Sequence, residues 1–238
     1  MNGSIYENLE SFHCTDTLLT CFETSDFHTA QHIKKLILSR NQLTKFETSD
    51  FHSAQHLREL NLSGNQLTKF DATGFREIGS LASIDLSDNK IESLQLEKLG
   101  TAANLSKLLI SGNLLNNLNL GFAKNLGNLK ELDIRNNPNL KEVDVTPLLQ
   151  NPHLRSFKFQ LDPEVLITYD QRVFYDYLKR FEYEHGEMTY DWKKDGFRLI
   201  KRKVGPEEYI EVSSLRRIPL DFEDNNLFPN AKVLNPIS

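Results

Sequence analysis

A fixed spacing of apolar residues and one asparagine recurs along most of this chain and limits what it can fold into. The spacing is first clear in Ile33-x-x-Leu36-x-Leu38-x-x-Asn41, and it returns 24 residues later from Leu57. The asparagines stay in register through five copies, at Asn41, Asn65, Asn89, Asn113 and Asn137. A repeat of this length is one structural unit that buries its apolar face only by stacking on its neighbours.

Each copy predicts the same local structure. The Leu-x-Leu core predicts a short strand whose leucines point inward, while the residues between them point outward. The asparagine follows the strand, where the chain turns and leaves backbone groups that would be buried without partners. Its amide can pair with those groups, because it carries both donors and an acceptor. The sequence therefore predicts a structural ladder of stacked asparagines.

The pattern resembles the leucine-rich repeat family over residues 9 to about 160. The resemblance implies an α/β fold, a right-handed solenoid with a curved parallel sheet and about seven repeats. The 24-residue length, with an aromatic residue at Phe27, Phe51 and Phe75, is similar to the typical class found in extracellular and receptor proteins. The first copy departs from the pattern with Thr17 at the asparagine position, and the last has Asp162 there.

The period stops after residue 160, so we predict a solenoid over 1–160 and a C-terminal cap over 161–238. Residues 171–185 carry an apolar stripe at helical spacing after Asp170, a candidate N-cap. Residues 188–203 resemble a hairpin turning at Asp195-Gly196, with residues 209–212 as a third extended piece. The segment from Pro219 onward is polar and is expected to be a loose tail.

Composition excludes several classes of function. The net charge of -5 is spread over the chain, without the basic surface that nucleic-acid binding requires. No apolar run is long enough to span a membrane, and the first residues do not form a secretory signal. The compartment stays open, with a secreted or extracellular location slightly favoured over a cytoplasmic one by the repeat class.

The candidate binding surface is the concave side of the sheet, formed by outward strand residues. Isolated apolar residues among mixed charges suit a protein partner, because they supply the anchors and the rim of an interface. The alternative is that these are only solvated strand residues. The candidates are the central positions His13, Ile37, Asn61, Asp85, Leu109, Asp133 and Lys158, with Arg58 and Arg135 beside them.

Four histidines and two cysteines give weaker signals. His28, His32, His52 and His56 form two HxxxH pairs that could hold a metal such as zinc, but duplication of one repeat explains them better. No metal is therefore predicted. Cys14 is expected as a free buried thiol, with a bridge to Cys21 as the alternative. Sequons occur at Asn2, Asn61 and Asn104.

No catalytic motif or cofactor motif is present. We therefore predict a non-enzymatic module that recognises another protein, similar to receptor-like or innate-immune recognition proteins. The alternatives are an intracellular scaffold or regulatory subunit, and an enzyme whose activity resides in residues 161–238. Self-association through the concave face or through an exposed strand of the cap is a further alternative.

Overall fold

A computed structural model describes residues 7–22, 30–51, 54–75, 78–151, 157–160, 165–170, 173, 188–193, 196–201, 208–213 and 232–234. Its strands are short, mostly three residues long. In chain order they are β1 (Ser11–His13), β2 (Lys35–Ile37), β3 (Glu59–Asn61), β4 (Lys69–Asp71), β5 (Ser83–Asp85), β6 (Ser93–Gln95), β7 (Lys107–Leu109), β8 (Glu131–Asp133) and β9 (Glu142–Asp144). The helix α1 (Thr146–Gln150) follows, and then β10 (Phe157–Gln160), β11 (Leu166–Asp170), β12 (Met188–Lys193), β13 (Gly196–Lys201), β14 (Glu208–Ser213) and β15 (Lys232–Leu234).

The main sheet is built by stacking successive turns of the chain. Strands β1, β2, β3, β5, β7, β8 and β10 pair in parallel in that order. Within the main sheet, each pair of neighbouring strands from β1 to β8 is offset by 24 residues, as in Leu36 beside Leu60, which gives five regular turns. The parallel solenoid predicted from the repeat is confirmed.

The apolar positions of the repeat form one continuous core. In the main-sheet strands β2, β3, β5, β7 and β8 the middle residue is fully buried, as is the apolar residue two positions later. Parallel strands that come from equivalent turns bring like residues into contact, so leucine stacks on leucine or isoleucine along the solenoid. The stacked middle residues are Leu36, Leu60, Ile84, Leu108 and Leu132.

The side opposite the main sheet holds 3-10 helices and short strands. The 3-10 helices are Ser49–Phe51, Glu97–Thr101 and Gly121–Asn125, and β4 pairs with β6 in a small second sheet. Phe51 is fully buried there and stacks on Phe46 with ring centroids 5.4 Å apart. Phe75 at the same repeat position is buried as well, while Phe27 lies outside the described residues.

The asparagine ladder joins each turn to the one before it. Asn89 illustrates the pattern: its Oδ1 accepts from the N–H of Leu67 at 3.0 Å, and its Nδ2 donates to the carbonyls of Leu62 and Leu86 at 3.0 and 3.1 Å. Asn65, Asn113 and Asn137 make the equivalent bonds, and all are buried. In the first turn Thr17 donates its backbone N–H and its hydroxyl to Asn41, so a threonine fits at the end of the ladder.

A left-handed backbone residue precedes each ladder asparagine. Arg40, Asp88 and Asn136 have φ of 55°, 53° and 56°, and Gly64 and Gly112 have 65° and 67°. This conformation turns the chain sharply off the strand and directs its N–H to the next turn, as from Gly64 to the carbonyl of Ser87. Glycine adopts it without strain, whereas other residues pay roughly 1–2 kcal/mol.

Beyond β10 the sheet continues with a change of direction. Strand β14 pairs with β10 in parallel, β13 pairs with β14 antiparallel, and β12 pairs with β13 antiparallel at the end. Strand β11 lies between β9 and β15 in a separate parallel sheet. Oδ1 of Asp170 accepts from the N–H of Val173 at 3.0 Å, a contact typical of an N-cap, while residues 174–185 of the predicted helix lie outside the described residues. The division into a solenoid and a cap stays a prediction.

Candidate functional site

The concave surface is formed by the first and third residues of each short strand. Because side chains alternate along a strand, the buried middle residue leaves its two neighbours on the opposite side. Burial follows this pattern in β2, β3, β5 and β7, where both flanking residues are at least partly exposed. Two columns result. The first column is Ser11, Lys35, Glu59, Ser83, Lys107 and Glu131, and the central column is His13, Ile37, Asn61, Asp85, Leu109 and Asp133.

Ion pairs occupy the first column. Lys35 and Glu59 on adjacent strands are 2.8 Å apart, and Lys107 and Glu131 are 3.4 Å apart. All four side chains retain substantial exposure, so each pair contributes at most about 1 kcal/mol to stability. These pairs order the side chains on the surface more than they hold the fold together.

At the edge of this surface, Lys34 pairs with Glu10 at 2.7 Å. The hydrogen bond from the Lys34 ammonium, followed by its positive charge, holds the pKa of the Glu10 carboxyl below its ordinary value. Both groups are well exposed. The lowered pKa of Glu10 therefore results from one exposed ion pair and does not indicate a buried site.

Polar members of the central column are fixed by the residues that follow them. Oδ1 of Asn61 accepts from the backbone N–H and hydroxyl of Ser63 at 2.9 and 2.7 Å. Oδ1 of Asp85 likewise accepts from the backbone N–H and the hydroxyl of Ser87. The second oxygen of Asp85 has no hydrogen bond or ion pair with any residue that the structure describes. Asp85 as a whole is partly exposed in the middle of the surface.

Asp133 differs from the exposed contact residue that the sequence predicts. It is only 6% exposed, and Arg135 holds it with Nε to Oδ1 at 3.0 Å and Nη2 to Oδ2 at 2.7 Å. Arginine is long enough to fold back over a carboxylate two residues earlier, and its planar donors match both oxygens. Asp133 and Arg135 therefore bind each other, and Asp133 contributes little surface for a partner.

The register of Lys158 also needs correction. The repeat spacing predicts that Lys158 follows Asp133 in the central column, but its backbone pairs with Glu131, in register with the first column. Gln160 is the residue beside Asp133. The step from β8 to β10 is therefore 27 residues rather than 24, and this longer turn contains α1 where the two preceding turns have 3-10 helices.

Arg58 and Lys130 are exposed at the starts of β3 and β8. Neither side chain has a hydrogen bond or ion pair with another residue in the part of the chain that the structure describes. They lie at equivalent positions of two turns.

His32 and His56 lie outside the strands that form the concave surface. His32 and His56 are exposed, and their rings stack in parallel with centroids 6.3 Å apart. His28 and His52 lie outside the described residues. Among the residues described, no three histidine, cysteine or acidic side chains lie close enough together to hold a metal ion.

The cysteines are both free thiols. Cys14 is partly buried, and its sulfur lies 3.1 Å from the hydroxyl of Thr17, while Cys21 is exposed. The alternative of a bridge between them is therefore wrong for this structure. None of the described helices has the length and apolar character needed to cross a membrane.

Comparisons with known proteins agree on the fold. The sequence profile described as leucine rich repeat matches residues 7–95. The leucine-rich-repeat protein FLRT2, solved in an octameric complex with Latrophilin 3 and Unc5D, aligns with 21% identity over 72% of this chain and 59% of its own, with a TM-score of 0.50.

Two bacterial structures align as well. Internalin C2 of Listeria monocytogenes is 20% identical over 68% of this chain and 71% of its own, with a TM-score of 0.48. The Leptospira interrogans leucine-rich-repeat protein LIC12759 is 22% identical over 70% of this chain, with a TM-score of 0.48. This chain spans 46% of the latter's length. A comparison with curated protein sequences finds no significant match.

Proposed function

We propose, from the premise that this chain is a leucine-rich-repeat protein, that the concave surface of its parallel sheet binds another protein. The observation that carries the proposal is the arrangement of the central column. Partly exposed Ile37 and Leu109 stand on either side of Asn61 and Asp85, on strands fixed by the buried core. Apolar anchors within a polar surround are the usual composition of a protein interface.

Rigidity supports a role in recognition. The strands are held from behind by fully buried leucines, and Asn61 and Asp85 are held in place by Ser63 and Ser87. A surface ordered before binding loses little conformational entropy on association, so more of the contact energy appears as affinity. The role is recognition without catalysis, as in a receptor-like protein.

The structural relatives agree with a protein partner. FLRT2 is found in a complex with two other proteins, and its repeats share the fold of this chain. The two sequences are only 21% identical, so Latrophilin 3 and Unc5D are not proposed as partners of this chain. What is taken from the comparison is the class of partner, a protein.

Affinity capture with a charge reversal tests the proposal. The purified protein is compared with Asp85→Arg and with Glu97→Arg, which makes the same change on an exposed residue of a 3-10 helix outside the concave surface. We expect Asp85→Arg to weaken capture of the partner by at least roughly tenfold, since the change falls at the centre of the interface. Glu97→Arg should capture the partner normally.

The fold of each variant is checked by circular dichroism and thermal melting. Asp133→Arg is avoided, because it would place a second cation against Arg135 at a buried position. Equal capture by Asp85→Arg and by the unmodified protein would count against the concave surface.

A further inference from the structure

The concave surface repeats with a longer period than the sheet itself. The first residues of β2 and β3 and the last residue of β2 have counterparts three turns later, in β7 and β8. A partly exposed apolar residue, a cross-strand ion pair and a cation without a partner among the described residues occupy the same relative positions each time. The corresponding residues are Ile37 with Leu109, Lys35 with Lys107, Glu59 with Glu131, and Arg58 with Lys130.

This longer period is a property of the surface and not of the core. The buried middle residues of β2, β3, β5, β7 and β8 are all leucine or isoleucine, so the core shows only the 24-residue period. Nothing in the packing of the turns requires the outward residues of β2 and β7 to match. We infer that the concave surface carries two equivalent apolar subsites, at Ile37 and at Leu109.

The distance between the subsites limits what can occupy both. The pairing register places Asn61 and Asp85 between Ile37 and Leu109, so the two apolar residues are three strand steps apart. At a strand spacing of about 4.8 Å, this separation is about 14 Å. A ligand bound at both subsites must present two apolar groups at that distance on one side.

An extended peptide has this geometry. Side chains at i and i+4 of an extended chain point to the same side and lie about 13 Å apart, at about 3.3 Å per residue. In a helix, side chains at i+7 and i+11 share a face with i, at about 10.5 and 16.5 Å, and neither distance fits as well. The spacing therefore favours an extended segment that crosses the strands of the sheet.

Charge defines the residue between the two anchors. The side chain at i+2 would reach the surface between Asn61 and Asp85, where Oδ2 of Asp85 has no partner among the described residues. A lysine or arginine at i+2 would pair with that oxygen, whereas an acidic residue would be repelled. The pattern required of the segment is apolar-x-basic-x-apolar.

Building on the proposed function, we propose that the concave surface binds an extended segment of its partner protein with this five-residue pattern. The apolar side chains contact Ile37 and Leu109, and the basic side chain pairs with Asp85. Specificity then depends on the spacing of the anchors as well as on their chemistry, because a segment with another spacing fills only one subsite.

An array of synthetic peptides tests the spacing. Each peptide carries two leucines separated by three to eleven positions in a glycine and serine background, with lysine or glutamate near the midpoint. We expect the strongest binding at i+4 with lysine, at least about fivefold above i+3 and i+5. A maximum at i+7 or i+11 would indicate a helical occupant and would overturn the proposal.

Substitutions in the protein then test which residues of the concave surface contact the peptide. Ile37→Ser and Leu109→Ser should each weaken binding of the i+4 lysine peptide by about tenfold, while Leu114→Ser, a partly exposed leucine of a ladder turn outside the strands, should not. Asp85→Lys should reverse the preference, so that the glutamate peptide binds better than the lysine peptide. Equal binding by all variants would overturn the proposal.

The outcomes separate this proposal from the proposed function. If capture of the protein partner depends on Asp85 but no peptide spacing is preferred, the extended segment is wrong while binding at the concave surface stands. If size-exclusion chromatography shows a dimer that Asp85→Lys dissociates, the occupant is a second copy of this chain, and the proposal fails. If capture of the protein partner does not depend on Asp85 and no peptide spacing is preferred, both proposals are wrong.

Discussion

Removing one amide from the ladder should destabilise the protein far more than its size suggests. Asn89→Ala deletes the acceptor for the Leu67 N–H and the donor to the carbonyls of Leu62 and Leu86. Asn89 is 8% exposed, so these groups have little access to water. Leaving a buried polar group unpaired costs about 1–3 kcal/mol, and relaxation relieves part of the total.

We expect a loss of roughly 3–5 kcal/mol in the free energy of unfolding. This is a large part of the stability of an ordinary domain, and it corresponds to a fall in Tm of roughly 10 °C. Urea unfolding followed by circular dichroism measures the free energy. The exposed Asn117→Ala is the matched control and should change it by less than about 0.5 kcal/mol.

Hydrogen exchange supplies a local readout of the same change. The N–H of Leu67 should lose protection in Asn89→Ala, whereas that of Ile91, which is held by Asn113, should keep more of it. Asn89→Asp should be at least as destabilising near neutral pH, because a carboxylate would face two carbonyl oxygens, and it should partly recover in acid. A loss below about 1 kcal/mol with Leu67 still protected would refute the role assigned to the ladder.

Two further predictions concern the turns and the edge of the concave surface. Gly112→Ala should lower stability by at least about 1 kcal/mol in urea unfolding, because φ is 67° there and the added Cβ would collide with Asp88; a neutral result would show that the turn can rearrange. Lys34→Met should raise the pKa of Glu10 towards its ordinary value in an NMR titration, since Lys34 is the main cause of its lowering. The contribution of this pair to stability is present above the ordinary pKa and is lost as the pH falls through the lowered one, so the variant should lose that dependence; an unchanged Glu10 titration would contradict the assignment.

The fold was predictable from the sequence because each turn of the solenoid buries the same apolar positions and pairs the same backbone groups. Inward leucines and an asparagine at one position determine the strand, the turn and the stacking partner together. The same logic located the outward residues of β1 to β8. It did not extend past residue 160, where no period remains to specify which strands are neighbours.

Interactions between outward side chains were not predictable from spacing. Whether Asp133 faces a partner or Arg135 depends on rotamers and on a residue two positions later, and the repeat does not specify either. The register of Lys158 was missed because the last turn is three residues longer than the others. The number of residues between equivalent leucines would reveal the longer turn only if that turn kept the leucine spacing of the other repeats.

The offset of the ladder bonds has an evolutionary consequence. Each ladder asparagine accepts from a backbone N–H 22 residues earlier and donates to a carbonyl 27 residues earlier. Its contacts therefore lie in its own unit and in the one before it. Copying one whole unit in the gene would recreate both contacts on either side of the insertion, with no compensating change elsewhere. The near identity of residues 22–46 and 46–70 is what such a duplication would leave, and a solenoid held together in this way can gain or lose length in whole units during evolution.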